Sequence, residues 1–280
     1  MAKRKSHPHR EQPALDIIIP VYGQASLLAK CLDSIKLATI SYRLILVDDC
    51  GPEQEQLAMV YGSLNGTSRL LHNRENSGFA RTVNTGVNVG NAPFILLLNS
   101  DIELQPDTLT NMLAEFENPE VGIVGPKLLF ADNRHGGEGK IQHAGLCVTF
   151  QGQLVHANIG WNADHPKVNQ RREMQAVTGA CLMTRRVVWQ KILSEYRHFN
   201  DPTIGAMNEI YGKGCFEDVE YCIAARAHGH KVIYAPTAIA KHYVGASILG
   251  NKEAYPINRN AMIFGARCGH LIQWDDWKWM

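Results

Sequence analysis

Three hydrophobic segments of this chain run out into residues that do not belong in a core. "LDIIIPVYG" (15–23) carries Pro20, Tyr22 and Gly23, "YRLILVDDCG" (42–51) carries Asp48, Asp49 and Gly51, and "APFILLLNSD" (92–101) ends in Asn99, Ser100 and Asp101. In open parallel sheets ligands bind outside the carboxyl ends of the strands. A lone acid at a strand end is commonly a helix cap or a turn former, but three such ends in one half of a chain weigh against that reading for the set. The sequence has neither G-x-G-x-x-G nor a P-loop, so the two common backbone cradles for phosphate are missing. Carboxylates repel a phosphate unless a hard cation lies between them. Mg2+ or Mn2+ held by one or two carboxylates and by substrate phosphates is the usual solution. A further acidic pair, Glu217 and Asp218 in "FEDVEYC", opens a helical pattern. There it would complement the helix dipole.

Those ends must be held by strands and helices in alternation. β-branched runs at 15–23, 42–51, 68–73, 92–101 and 121–130 read as buried strands. Between them, 25–38, 53–64, 78–90 and 106–118 read as helices, the last with Pro106 and Asp107 at its start. This order argues a mainly parallel central sheet with helices on both faces, a Rossmann-like α/β arrangement. From 131 to 175 glycine and polar residues take over, with short strands expected at 145–150 and 153–159. Further on, 176–193 reads as strand, turn and helix, 216–230 as a helix ending near Gly229, and 231–245 as strand, Pro236, strand.

Composition narrows the classes. The chain has 280 residues, 45% of them apolar, enough for a core. A net charge of +1 offers no field for nucleic acid. No apolar run approaches the roughly 18 residues of a membrane span, and no secretory signal opens the chain. Seven cysteines without paired spacing fit reduced thiols in a cytoplasmic protein. Cys215, Cys222, His228 and His230 match no familiar zinc spacing.

Taken in order, "IIIPVYG", "LVDDCG", "NSGFARTVNTGV", "ILLLNSDIEL", "TGACLMTRR", "GCFEDVEYCIAARAHGHKVIYAP" and "KHYVGAS" resemble glycosyltransferase family 2. The likeness runs from about residue 15 to residue 250, and each motif alone is weak where the ordered set is strong. Its nearest look-alikes are bacterial enzymes of O-antigen and surface-glycan synthesis, among them rhamnosyl- and galactofuranosyltransferases.

The resemblance implies the GT-A fold and an inverting, metal-assisted transfer from a UDP- or dTDP-sugar to a glycan or lipid-linked acceptor. "NSD" stands where the family has Asp-x-Asp. Asp101 would therefore be the metal ligand, and Asn99, beside Ser100, would meet donor or metal through its amide. Asn99 in place of an acid removes one negative charge and should weaken metal binding. By the same likeness Asp48 would read the pyrimidine base, with Pro20 and Tyr22 lining its pocket, and Asp49 would serve the ribose or hold the loop. Gly78, Arg81 and Asn84 would lie near the nucleotide, Arg81 either approaching the diphosphate or pairing with a surface acid. Asp218 would be the base, with Glu217 its neighbour, and Glu220 and His143 the fallback bases. His242 would complete the Mn2+ or Mg2+ shell or be a plain buried histidine. Gly179 and Ala180 would lie under the acceptor, with Arg185 and Arg186 facing solvent.

The expected organisation is a basic tail (1–13) and one GT-A domain (14–250). Within the domain, 14–130 is a nucleotide-sugar half and 131–250 an acceptor and catalytic-base half. A Trp-rich extension (251–280) follows, ending "LIQWDDWKWM". The extension packs on the domain or touches the inner face of a membrane. Two other classes compete. A sugar nucleotidyltransferase would need a Gly-rich basic loop that residues 17–30 lack, and a silent nucleotide-sugar-binding scaffold would bind donor without turnover.

Overall fold

A computed structural model of the protein describes residues 13–66, 68–134, 137–198, 203–245, 256–275 and 278. The basic tail apart from Pro13 lies outside the described residues, as do Trp277 and Trp279. The first half alternates as its periodicity requires: β1 (Leu15–Val21), α1 (Ala25–Ile35), β2 (Tyr42–Asp48), α2 (Gln54–Gly62), β3 (Arg69–His72), α3 (Phe79–Val89) and β4 (Phe94–Leu98). Then follow β5 (Ile102–Leu104), α4 (Thr108–Ala114) and β6 (Val121–Phe130). The second half holds β7 (Ile141–His143), β8 (Leu146–Val148), β9 (Leu154–His156), β10 (Arg172–Glu173), β11 (Cys181–Arg185), α5 (Arg186–His198), α6 (Glu217–Ala227), β12 (Lys231–His242) and α7 (Ile257–Cys268).

The main sheet runs β10-β12-β6-β11-β4-β1-β2-β3, with β5 on β12 and β7 on β6. β3, β2, β1 and β4 are mutually parallel, and so are β6 and β12. β11 runs antiparallel between β4 and β6, and β10 and β5 on β12 and β7 on β6 are antiparallel too, so the sheet is mixed around two parallel blocks. β4 shows why the sequence reads as one apolar run. Leu96 and Leu98 belong to the cluster with α1 and α4, while Ile95 and Leu97 belong to the cluster with α3, α5 and α6. A strand covered on both faces has no polar side to alternate with.

The structure corrects several local expectations. β12 is one strand across Pro236, with its register to β6 broken between Ala235 and Ile239. The missing N–H costs a ladder bond, and the irregularity absorbs it. β11 passes into α5 without a turn. Arg185 and Arg186 do not face solvent freely. Arg185 donates to the carbonyls of Val121 and Phe116, and Arg186 pairs with Asp16 at 2.7 Å. Arg43 holds the other oxygen of Asp16, a fully buried carboxylate, also at 2.7 Å. A buried charge is tolerated where it is paired and hydrogen-bonded in this way.

The described C-terminal residues from 257 to 275 pack back on the molecule. α7 lies against α6, with Asn260, Phe264 and Cys268 on its buried face. Farther on, Gln273 and Gln175 exchange two hydrogen bonds, and the Asp275 carboxylate accepts from the N–H of Val148 in β8. Among the described residues no helix is long and apolar enough to cross a membrane.

Candidate active site

The carboxyl ends of the central strands border a cleft of about 400 Å³. Pro20 and Tyr22 line it from the end of β1, Asp49 from the end of β2, and Asn99, Ser100 and Asp101 from the end of β4. The second half contributes Thr178, Gly179 and Ala180 before β11, Glu217 and Asp218 from α6, and His242 from β12. Residues that the sequence separates by more than two hundred positions thus meet in one space.

Asp101 is 7% exposed, and its Oδ1 is buried without a hydrogen-bond partner, 3.4 Å from His242 Nε2. β5 and β12 create that meeting, since Ile102 pairs with His242. On the far side of the ring, His242 Nδ1 lies 3.2 Å from Gln142 Oε1. An amide oxygen only accepts, so Nδ1 carries a proton toward Gln142, and Nε2 is the ring atom that faces Asp101. One carboxylate oxygen and one imidazole nitrogen make a donor pair suited to Mn2+ and usable by Mg2+. A buried, partnerless carboxylate oxygen is the feature such a cation would satisfy.

Glu217 and Asp218 open α6. Asp218 Oδ2 accepts from the N–H of Gly179 at 2.6 Å, and Oδ1 from the N–H of Val219 at 2.8 Å. A Cβ on residue 179 would stand 3.0 Å from that of Asp218, so the approach of the two segments is made by glycine. Glu217 is 4% exposed, and its Oε2 has no hydrogen-bond partner. Burial, reinforced by the charge of Asp218, raises the Glu217 carboxyl to about 8. Burial also raises Asp218, opposed by the backbone N–H groups it accepts from. The pair therefore keeps a proton more readily than two free carboxylates do.

The expected nucleotide residues divide. Pro20, Tyr22, Asp49, Gly78, Asn99 and Ser100 line the cleft. Asp49 holds the loop before α3, accepting from Asn73 Nδ2 and from the N–H groups of Ser77 and Gly78. Asp48 is set behind it, with Oδ1 accepting from the N–H of Cys50 and Oδ2 buried without a hydrogen-bond partner. Asn84 lies outside the cleft wall, its amide bonded to Met207 and Glu209. Arg81 is exposed on α3, also outside that wall.

The two fallback bases are tied up. Glu220 is gripped by Asn208, Tyr211 and Arg267. His143 is fully buried, with its Nδ1 2.8 Å from His156 Nδ1, and burial holds its pKa well below the ordinary histidine value. Sequence reasoning missed cleft residues Asn76, Gln142, His156 and Lys213. Only Lys213 carried a signal, its place between Gly212 and Gly214.

The profile of Glycosyl transferase family 2 matches residues 16–196, more than half of the chain. The chain is 28% identical over 250 residues to the protein y4gI of Sinorhizobium fredii, covering 86% of this chain and 25% of that protein. It is 26% identical over 254 residues to the O-antigen biosynthesis protein RfbC of Myxococcus xanthus, covering 87% of this chain and 18% of RfbC. This chain thus spans a quarter or less of the length of these two relatives. Among solved structures, GalNAc-T7 with UDP, GalNAc and Mn2+ aligns with a TM-score of 0.60 at 13% identity, over 82% of this chain and 43% of that one. At such identity the likeness speaks to the fold alone, a GT-A fold.

Proposed function

The chain belongs to glycosyl transferase family 2, and we propose that it is an inverting enzyme moving a sugar from a UDP- or dTDP-sugar to a hydroxyl of a glycan or lipid-linked acceptor. The observation that carries this reading is a single cleft holding both the Asp101–His242 pair and the Glu217–Asp218 pair. One pair suits a donor with a charged leaving group, and the other suits removal of a proton.

Asp101 and His242 would hold Mn2+ or Mg2+, whose charge, when bound, offsets that of the diphosphate. Pro20 and Tyr22 flank the base. Asp48 Oδ2, buried without a hydrogen bond and 3.5 Å from His72 Nδ1, is the acceptor that the ring N–H of uracil or thymine would find there. Asp218 takes the proton of the acceptor hydroxyl as that oxygen attacks the anomeric carbon. The bond from that carbon to the diphosphate oxygen breaks on the opposite face, so the configuration inverts and the nucleoside diphosphate leaves. The Gly179 N–H fixes the Asp218 carboxylate while leaving it lone pairs for the acceptor. Glu217, protonated in this setting, limits the pair to one negative charge.

The likeness to RfbC favours an acceptor in surface-polysaccharide synthesis. The test is a panel of UDP-, dTDP- and GDP-sugars, titrated into the protein and followed for hydrolysis. Binding and slow hydrolysis of a pyrimidine nucleotide sugar are expected. Binding with no turnover across the panel, with or without glycan acceptors, would mark a binding protein instead.

A further inference from the structure

Among the described residues lining the cleft, Lys213 is the single Lys or Arg. The scheme above does not use it. Asp49, Asp101 and Asp218 line the same space, so the charged side chains that a diphosphate meets there are mostly carboxylates. Its own negative charges are admitted only against compensating cations. The metal motif has one carboxylate, Asp101, where Asn99 replaces the other, and the side chain expected to help, Arg81, stands outside the wall. Lys213 is the cation that the fold places inside it.

The loop that presents Lys213 is built with unusual backbone. Gly212 and Gly214 have φ of 67° and 147°, and Cys215 and Phe216 follow at 79° and 81°. Left-handed conformations in two consecutive non-glycine residues persist only where their surroundings impose them. Two contacts do so here. In front, the Phe79 N–H donates to the Lys213 carbonyl, and a Cβ on Gly78 would fall 2.3 Å from the Gly212 oxygen. Behind, the fully buried Asn260 of α7 donates to the carbonyls of Tyr211 at 2.8 Å and Gly214 at 2.7 Å, one on each side of Lys213. The backbone is clamped, whereas the ammonium is tied to the carbonyl oxygen of Asn76, itself a cleft residue. A neutral carbonyl is a weaker partner for an ammonium than a phosphate oxygen.

We propose that Lys213 binds the diphosphate of the nucleotide donor, held in place by Asn260 from the C-terminal helix. The assignment rests on the glycosyltransferase reading and deepens it. It makes α7 part of the donor site, because the helix fixes the loop that carries the cation.

The test is calorimetric titration of the full chain with UDP, dTDP and uridine in the presence of Mn2+. Lys213→Ala should weaken nucleoside diphosphate binding on the order of ten- to a hundredfold, the range of a charged hydrogen bond. Uridine affinity should stay at the wild-type value. Lys213→Gln keeps a donor for Asn76 and should weaken UDP nearly as much, while Lys213→Arg should restore most of the affinity. Wild-type UDP affinity in Lys213→Ala would overturn the proposal, and so would an equal loss for uridine, the mark of a loop that only needs its tether. A wild-type chain that binds neither UDP nor dTDP would overturn the glycosyltransferase reading and this assignment with it.

Discussion

Asp101 Oδ1 and His242 Nε2 face each other across 3.4 Å, the carboxylate oxygen without a hydrogen bond and the ring fixed from behind by Gln142. Two donors so arranged want a cation. Excess EDTA should abolish sugar transfer, and Mn2+ should restore it better than Ca2+, which prefers an all-oxygen shell. Gln142→Ala should raise the Mn2+ concentration needed for half-maximal activity by roughly 10–100-fold, the usual cost of losing the partner that orients a ligand. Full activity in EDTA would refute the metal assignment.

Glu217 gives the protein a pH signature of its own. Burial and the neighbouring charge of Asp218 push its carboxyl up to about 8 from an ordinary value of 4.5. Between those values the folded chain holds a proton that the unfolded chain has released, so stability falls as pH rises through this window and levels off above it. Glu217→Gln removes this residue's share of the linkage and leaves that of Asp218. Urea unfolding at several pH values should show a smaller loss from pH 5 to pH 8 for this variant than for the wild type. Parallel curves would show that Glu217 titrates normally.

The Glu220–Arg267 pair joins α6 to α7. Its atoms approach to 3.0 Å, with the Glu220 side chain 3% exposed. Arg267→Ala leaves that carboxylate with Asn208 and Tyr211 but no countercharge. It should cost about 2–4 kcal/mol, toward the lower end for a broken buried pair because Arg267 is partly exposed. Replacing both residues, as Glu220→Gln with Arg267→Met, should cost less than Arg267→Ala alone. Denaturant titration of the three proteins checks the order, and the reverse order would mean that the pair is screened by water.

Asp218→Asn keeps the size of the side chain and an oxygen for the Gly179 N–H, yet accepts no proton near neutrality. Turnover should fall by about 10²–10⁴-fold with donor affinity intact. Steady-state kinetics together with UDP titration separates the two effects. A variant with near-wild-type transfer would remove Asp218 from the chemistry.

Much of this was legible in the chain because local and tertiary demands agreed. β4 had to be apolar throughout, so the polar Asn99-Ser100-Asp101 after it stood out. β6 was readable from end to end for the same reason, with nine of its ten residues buried. β5 was not readable, because three residues carry too little periodicity and only pairing with β12 makes them a strand. α7 was hidden by its own packing. Its buried face begins with Asn260 and is spaced 260, 264, 268, while Met262 is 77% exposed, so the apolar pattern breaks where the helix does its work.

The donor residues show the same limit. Arg81 and Asn84 share a helix near the cleft, but packing of α3 leaves one exposed and gives the other to Met207 and Glu209. Lys213 reaches the cleft through contacts of its loop with Gly78 and Asn260, which lie more than a hundred and nearly fifty residues away in sequence. No local pattern carries such information.

The most direct test of the account is the anomeric configuration of the product, read by NMR from transfer with a configurationally pure nucleotide sugar. A single displacement with Asp218 as its one base predicts a linkage inverted relative to the donor. A product that retains the donor's configuration would contradict the mechanism, however well the cleft residues are placed.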